Sequence, residues 1–166
     1  MNMEQVRKRA SKIKLLLMDC DGVLTDGRLY FSPSGEGMKV FHVRDGQGIV
    51  SWHRAGFRSG IITGRDGETI LRARAEELGI DYLSVRSEDK TRDLERILIE
   101  AGVSASETAY VGDDLADLPI MMRVGLPVAV ADAVSEVVSA AAYVTKALGG
   151  RGAVREVTDL LLASRA

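Results

Sequence analysis

The 166-residue sequence predicts an α/β fold, a doubly wound parallel sheet. Three observations carry that prediction. Apolar runs of strand length alternate with amphipathic stretches of helix length, the pattern of consecutive βαβ units. The first strand, Ile13–Met18, is built on the unbroken apolar run Leu15–Met18, as a central strand covered on both faces requires. Only one hairpin is legible, so the remaining strands must be joined by crossovers, which leave them parallel.

In chain order, Met3–Ser11 reads as a short polar helix ahead of the Ile13–Met18 strand. "RLYFSPSGEGMKVFHV" alternates around a turn at Pro33–Gly37 and predicts a β-hairpin flap (about 27–44) with arms Leu29–Ser32 and Met38–Val43. "GQGIVSWHRAG" is helical and "RSGIITG" is an apolar strand. "DGETILRARAEELG" has helical periodicity and a terminal Gly79 suited to a C-cap. "IDYLSV" is a strand, Lys90–Ala101 a helix closed by Gly102, "TAYVG" a strand and "DLPIMMRVG" a helix. "LPVAVAD" and "VSEVVSAAA" repeat the alternation, and "YVT" adds an edge strand. A Gly-rich segment from Lys146 then leads into a C-terminal helix, Ala153–Ala163.

The chain is expected to form one domain, 1–166, without repeats or linkers. Its 22 basic and 24 acidic residues are evenly spread, and no basic block points to nucleic acid. No apolar stretch approaches the roughly 18 residues of a membrane span, and the polar N-terminus does not read as a secretory leader. Cys20 is the single cysteine, which excludes an intramolecular disulfide and fits a cytoplasmic location.

Ligands of an open parallel sheet bind beyond the carboxyl ends of its strands. After the first strand stand Asp19 and Asp21; after the second, Thr63, Gly64 and Arg65. Lys90 opens the helix after the third, and Asp113, Asp114 and Asp117 follow the fourth. Carboxylates gathered this closely repel one another unless a cation neutralises them. Hard oxygen donors without sulfur point to Mg²⁺. Thr63 and Lys90 are suited to grip a phosphate, by hydrogen bond and by point charge. On an extended strand end, residues i and i+2 point the same way, so the D-x-D spacing aims both acids at one site. One can attack phosphorus while the other protonates the leaving oxygen and then activates water. The constellation suits phosphoryl transfer.

These pieces, "DCDGVLTDG", "IITGR", Lys90 and "VGDDLADLP", resemble the motif set of the haloacid dehalogenase superfamily. With "VFHVRDGQGI", "GLPVAVADA" and "YVTKALGGRGAVREV", the stretch from Ile13 to Leu162 is similar to the 3-deoxy-D-manno-octulosonate 8-phosphate phosphatases of that superfamily. The resemblance implies a Rossmann-like fold without a separate cap domain and a Mg²⁺-dependent homotetramer serving lipopolysaccharide core synthesis. It implies Asp19 as nucleophile and Asp21 as general acid/base. Mg²⁺ would lie on Asp19, the Asp21 carbonyl and Asp113, with Asp117 behind them. Thr63 and Lys90 would hold the phosphoryl group. Asp21, His42, Val43, Arg44, Asp45, Gly46, Thr63, Gly64, Arg65, Arg74 and Lys90 would contact the substrate. His42 departs from the family's frequent Asn, and Val50 stands where some members carry Arg. The resemblance also places the C-terminal segment near a neighbouring subunit's active site, so the region from Lys146 onward is expected to be dispensable for folding but needed for turnover.

Several residues admit plainer roles. Asp26 reads as a turn former, Asp114 equally as a helix N-cap or a metal ligand, and Cys20 as core filler. Trp52, His53, Met121 and Met122 read as packing residues, and "GQGIVS" lacks the last glycine of a dinucleotide-binding loop. Arg151 and Arg155 in "GGRGAVRE" favour a functional reading of that segment over a mere connector. Two other functions compete. Sister phosphatases act on nonulosonate 9-phosphates, and their relatives tend to carry an acid where this chain has Arg65; a guanidinium there favours the octulosonate carboxylate. A receiver-type signalling module would need its accepting Asp at the end of the third strand, where "DYLSV" has none.

Overall fold

The computed structural model describes residues 1–33 and 35–165. The chain runs α1 (Met3–Ala10), β1 (Leu15–Met18), β2 (Tyr30–Ser32), β3 (Gly35–Met38), α2 (Val43–Arg54), β4 (Arg58–Ile62), α3 (Glu68–Leu78) and β5 (Tyr82–Ser84). It continues through α4 (Lys90–Ala101), β6 (Thr108–Gly112), α5 (Leu118–Met121), β7 (Leu126–Ala129), α6 (Ser135–Ala140), β8 (Tyr143–Val144) and α7 (Ala153–Ala163). Six strands form one sheet in the order β5-β4-β1-β6-β7-β8. Each neighbouring pair is parallel. The α/β class and the edge strand read from "YVT" are as the sequence predicts.

β1 lies at the centre, and all four of its residues are fully buried. Strand alternation sends them to two separate cores. Leu16 and Met18 pack with Val6, Trp52, Val154, Val157 and Leu161, contributed by α1, α2 and α7. Leu15 and Leu17 pack with Leu94, Ile97, Ile120 and Val137, contributed by α4, α5 and α6. Registers place Met18 opposite Ile61 of β4 and Val111 of β6. Asp19, Thr63 and Asp113 therefore leave the sheet at one edge, within a residue or two of the last paired positions.

Two expectations need correction. The hairpin's second arm is Gly35–Met38 rather than Met38–Val43, and the turn expected at Pro33–Gly37 includes residue 34, which is outside the described residues. The residues beyond Met38 are drawn inward instead. Lys39 is buried and Phe41 packs against the core, so the chain leaves the hairpin to satisfy those two side chains.

The Gly-rich segment is not a loose tail. It lies backbone-to-backbone on the loop after β1, where Gly150 N–H donates to the Val23 carbonyl at 2.8 Å. A Cβ on Gly149 would stand 1.7 Å from the Gly22 carbonyl oxygen, so only glycine permits the approach. Three carboxylates hold the segment: Asp132 accepts from Gly149 N–H, Glu156 from Lys146 and Ala147, and Asp45 from Gly152 and Arg155. α7 supplies Ala153, Val154, Val157 and Leu161 to the core, all fully buried. A chain ending before Lys146 would expose this face of the sheet, so the region is part of the folding unit. We expect Leu161→Ala to destabilise the protein by about 2–5 kcal/mol in urea unfolding, and removal of residues from Lys146 onward to abolish the cooperative transition.

Candidate active site

The site is built on the edge where β1, β4 and β6 end. Asp19 continues the β1 ladder, its N–H donating to the Val111 carbonyl at 3.0 Å. Its Oδ1 accepts from Cys20 N–H at 2.7 Å and lies 3.1 Å from Lys90 Nζ. Alternation turns Cys20 into the core, where burial raises its thiol far above the usual range. Val23, Leu24 and Thr25 all donate N–H to the Cys20 carbonyl, closing a tight turn. Gly22 in this turn has φ +93°, and a Cβ there would come within 2.0 Å of Asp113 Oδ2. The turn and the acid cluster can coexist only because position 22 has no side chain.

Asp19, Asp113 and Asp117 each offer one carboxylate oxygen, and these atoms lie within 4.8 Å of one another. Asp117 is fully buried and completely engaged. Its Oδ1 accepts from Lys90 Nζ and Tyr110 Oη, each at 2.7 Å, and its Oδ2 from the N–H groups of Asp113 at 2.9 Å and Asp114 at 3.3 Å. It thus fixes the backbone that carries Asp113 and the ammonium of Lys90. Asp113 differs, because its Oδ1 is buried and has no hydrogen-bond partner. Burial, then the charges of Asp19 and Asp117, push the Asp113 carboxyl up to about 8. Burial pushes Asp19 up to about 6 against the opposing charge of Lys90. An orphaned carboxylate oxygen beside a second raised carboxylate is the electrostatic signature of a cation site, and its donors are all hard oxygens. Asp114 Oδ1 caps Leu115 N–H at 2.7 Å, which decides between its two sequence readings in favour of the cap.

Asp21, predicted with the metal group, stands outside this carboxylate cluster. Its Oδ1 receives Lys39 Nζ at 2.5 Å, while Arg65 Nε lies 3.8 Å from its Oδ2. Lys39 also donates to Glu36 Oε1 at 2.9 Å, and Arg65 Nη2 to Glu36 Oε2 at 3.2 Å. Thr63 is buried at the end of β4; its Oγ1 accepts from Arg65 N–H at 3.3 Å and its carbonyl from Ser87 N–H at 3.0 Å. Lys90, at the first position of α4, is buried between Asp19 and Asp117, whose charges outweigh burial and raise its pKa, so it stays an ammonium. Asp19, Asp21, Thr63, Gly64, Arg65, Lys90 and Asp113 line one open cleft of about 480 Å³.

The remaining substrate-binding candidates are placed elsewhere in this chain. His42, Asp45, Gly46 and Arg74 line a separate small depression with Leu24, Phe41 and Ile80. His42 caps α2, its Nδ1 accepting from Arg44 N–H at 3.2 Å. Asp45 is buried and caps the start of α7 through the N–H groups of Gly152 and Arg155. Arg74 lies 5.4 Å over the Phe41 ring and pairs with Glu77 at 2.7 Å, while Val43 and Arg44 face solvent. The expected grouping of 42–46 and Arg74 with the acid cleft is therefore not met within one chain. The start of α2 turns toward α7 because Asp45 completes that helix.

Glu36, Lys39 and Tyr110 were not singled out from the sequence. Two signals were available. Lys39 interrupts the apolar alternation of "MKVF", and Tyr110 sits within a strand buried on both faces, where its hydroxyl must find a partner.

Among known proteins, a family model described as haloacid dehalogenase-like hydrolase matches residues 80–154. The 3-deoxy-D-manno-octulosonate 8-phosphate phosphatase of Yersinia pestis is 45% identical over 159 residues, 96% of this chain and 84% of that protein. Its crystal structure superposes with a TM-score of 0.95, covering 98% of this chain and 87% of that one at 44% identity. The phosphatase of the same name from Moraxella catarrhalis, solved with magnesium, phosphate and KDO, is 35% identical with a TM-score of 0.95 over 99% of this chain and 94% of that one. With its acid-lined cleft at the edge of β1, β4 and β6, the chain belongs to the 3-deoxy-D-manno-octulosonate 8-phosphate phosphatase family of the haloacid dehalogenase-like hydrolases.

Proposed function

We propose that this protein is a Mg²⁺-dependent phosphatase that hydrolyses 3-deoxy-D-manno-octulosonate 8-phosphate through an aspartyl phosphate. The observation that carries the reading is the arrangement at one strand end. Asp19 and Asp21 face one cleft, with Lys90 beside Asp19 and an unpartnered Asp113 oxygen opposite. Asp19 attacks phosphorus while Asp21 gives a proton to the departing sugar hydroxyl oxygen. Water, losing a proton to Asp21, then displaces Asp19 and frees phosphate. Thr63 and Lys90 hold the phosphoryl oxygens, and the buried ammonium offsets charge where it builds up. Asp19, the Asp21 carbonyl and Asp113 would hold Mg²⁺, and Asp117 would keep Asp113 and Lys90 in place. When bound, the ion neutralises the carboxylates and screens the phosphoryl group from Asp19.

The reading takes residues 1–166 as one catalytic unit, with the β2–β3 hairpin as a flap over its cleft, in the cytoplasm and assembled as a homotetramer. Support for assembly comes from the flap, where Leu29, Phe31, Met38 and Val40 are exposed on one small unit, and such patches mark contact surfaces. Among the described residues, no helix is long and apolar enough to cross a membrane.

Phosphate release from 3-deoxy-D-manno-octulosonate 8-phosphate and from a nonulosonate 9-phosphate, each with Mg²⁺ and with EDTA, tests the assignment. We expect strong Mg²⁺-dependent preference for the octulosonate; preference for the nonulosonate would retain the chemistry and overturn the substrate. Asp19→Asn is expected to reduce release to background, and Asp21→Asn to lower it by about 10²–10⁴-fold. Wild-type turnover in either variant would remove that residue from its role.

The raised carboxylates also set a pH dependence. The metal-free folded state retains protons at Asp113 and Asp19, up to about 8 and about 6, that the unfolded chain has released near 3.8. Their contribution to stability is therefore full at low pH and is lost as pH rises through those values. A cation must displace the same protons, so the rise in melting temperature caused by Mg²⁺ is expected to grow between pH 6 and pH 8. A rise that is independent of pH would separate Asp113 and Asp19 from the ion.

A further inference from the structure

The flap carries two charges, Glu36 and Lys39, that fall into a ring with Asp21 and Arg65 of the cleft. Lys39 follows β3 directly, and its side chain is only 1% exposed. A lysine is buried to that degree only when its charge is matched. Here the match is twofold, Asp21 Oδ1 at 2.5 Å and Glu36 Oε1 at 2.9 Å. Glu36 turns its other oxygen to Arg65, and Arg65 Nε approaches Asp21 Oδ2 without bonding it. The two oxygens of Asp21 are consequently unequal: Oδ1 is clamped, while Oδ2 is buried without a hydrogen-bond partner.

We propose that Lys39 is the positioning residue for Asp21, joining the flap to the acid that moves the proton. The proposal rests on the phosphatase reading above. A carboxylate free to turn about its Cβ–Cγ bond presents either oxygen. With Oδ1 held by the ammonium, Oδ2 alone faces the reaction. In the first step the bond from Asp19 to phosphorus forms as the bond from phosphorus to the sugar oxygen breaks, and a proton passes from Asp21 Oδ2 to that oxygen. In the second, water bonds to phosphorus, the Asp19–phosphorus bond breaks, and the proton from water returns to Oδ2. Lys39 touches neither substrate nor reacting atoms in this scheme. Glu36 keeps the ammonium from carrying an unmatched charge once the acid is protonated.

A positioning role of this kind depends on the leaving group, whereas support of the fold does not. Departure of 4-nitrophenolate needs no proton, and departure of a sugar alkoxide does. The test is kcat/KM for 3-deoxy-D-manno-octulosonate 8-phosphate and for 4-nitrophenyl phosphate, both with Mg²⁺, in the wild type, Lys39→Met and Lys39→Arg. We expect Lys39→Met to lower the sugar-to-aryl ratio by about tenfold or more, and Lys39→Arg to restore most of it. Equal loss on both substrates, or an unchanged ratio, overturns the proposal. If Lys39→Met fails to melt cooperatively, Glu36→Gln takes its place and is expected to move the ratio in the same direction; a ratio at the wild-type value then overturns it. Wild-type protein inactive on both substrates would refute the phosphatase reading itself, and this proposal with it.

Discussion

The structure depends on holding negative charge at a place where it would ordinarily not stay. Asp19, Asp113 and Asp117 bring oxygens within 4.8 Å at the edge of a sheet whose central strand is entirely apolar and buried. Like charges this close in a region of low polarity strongly favour protonation, and the raised carboxyls of Asp113 and Asp19 record that pressure. Asp117 has both oxygens saturated, by Lys90, Tyr110 and two backbone N–H groups. What remains uncompensated is concentrated on Asp113 and Asp19, where a hard cation and a phosphoryl group would neutralise it.

The rest of the fold serves that concentration of charge. Parallel pairing in register delivers the ends of β1, β4 and β6 to one edge, so residues distant in the chain become neighbours without a long loop. The turn after β1 then has to pass close to Asp113, and Gly22 is the residue that lets it. The Gly-rich segment packs on that same turn and is fixed from outside by Asp45, Asp132 and Glu156. A segment expected to be dispensable for folding is thereby a brace against the loop carrying Asp19 and Asp21.

Much of the site was legible because its chemistry is local. The D-x-D spacing, Thr63 at a strand end, Lys90 at a helix start and the acids of "VGDDLADLP" declare themselves by residue type and by position relative to predicted strands. The misplacements share a different cause. Asp45 and Arg74 carry the same charges as binding residues, but which surface they face depends on how α2 packs against α7 and on where Phe41 lies. Glu36 and Lys39 are not legible in the sequence because their partners, Asp21 and Arg65, come from distant segments.

The sequence by itself determined the class of fold, the alternation of its elements and the identity of the acids. Each of these follows from hydrophobic period, capping residues and side-chain chemistry, which act over a few neighbouring positions. Tertiary structure alone decided that Asp117 is a buried anchor while Asp113 keeps a free oxygen. It also decided that Lys39 clamps one side of Asp21, that the hairpin ends at Met38, and that the region after Lys146 belongs to the core. These outcomes depend on which groups find partners across the fold. Burial and hydrogen bonding between distant segments leave no period in the chain.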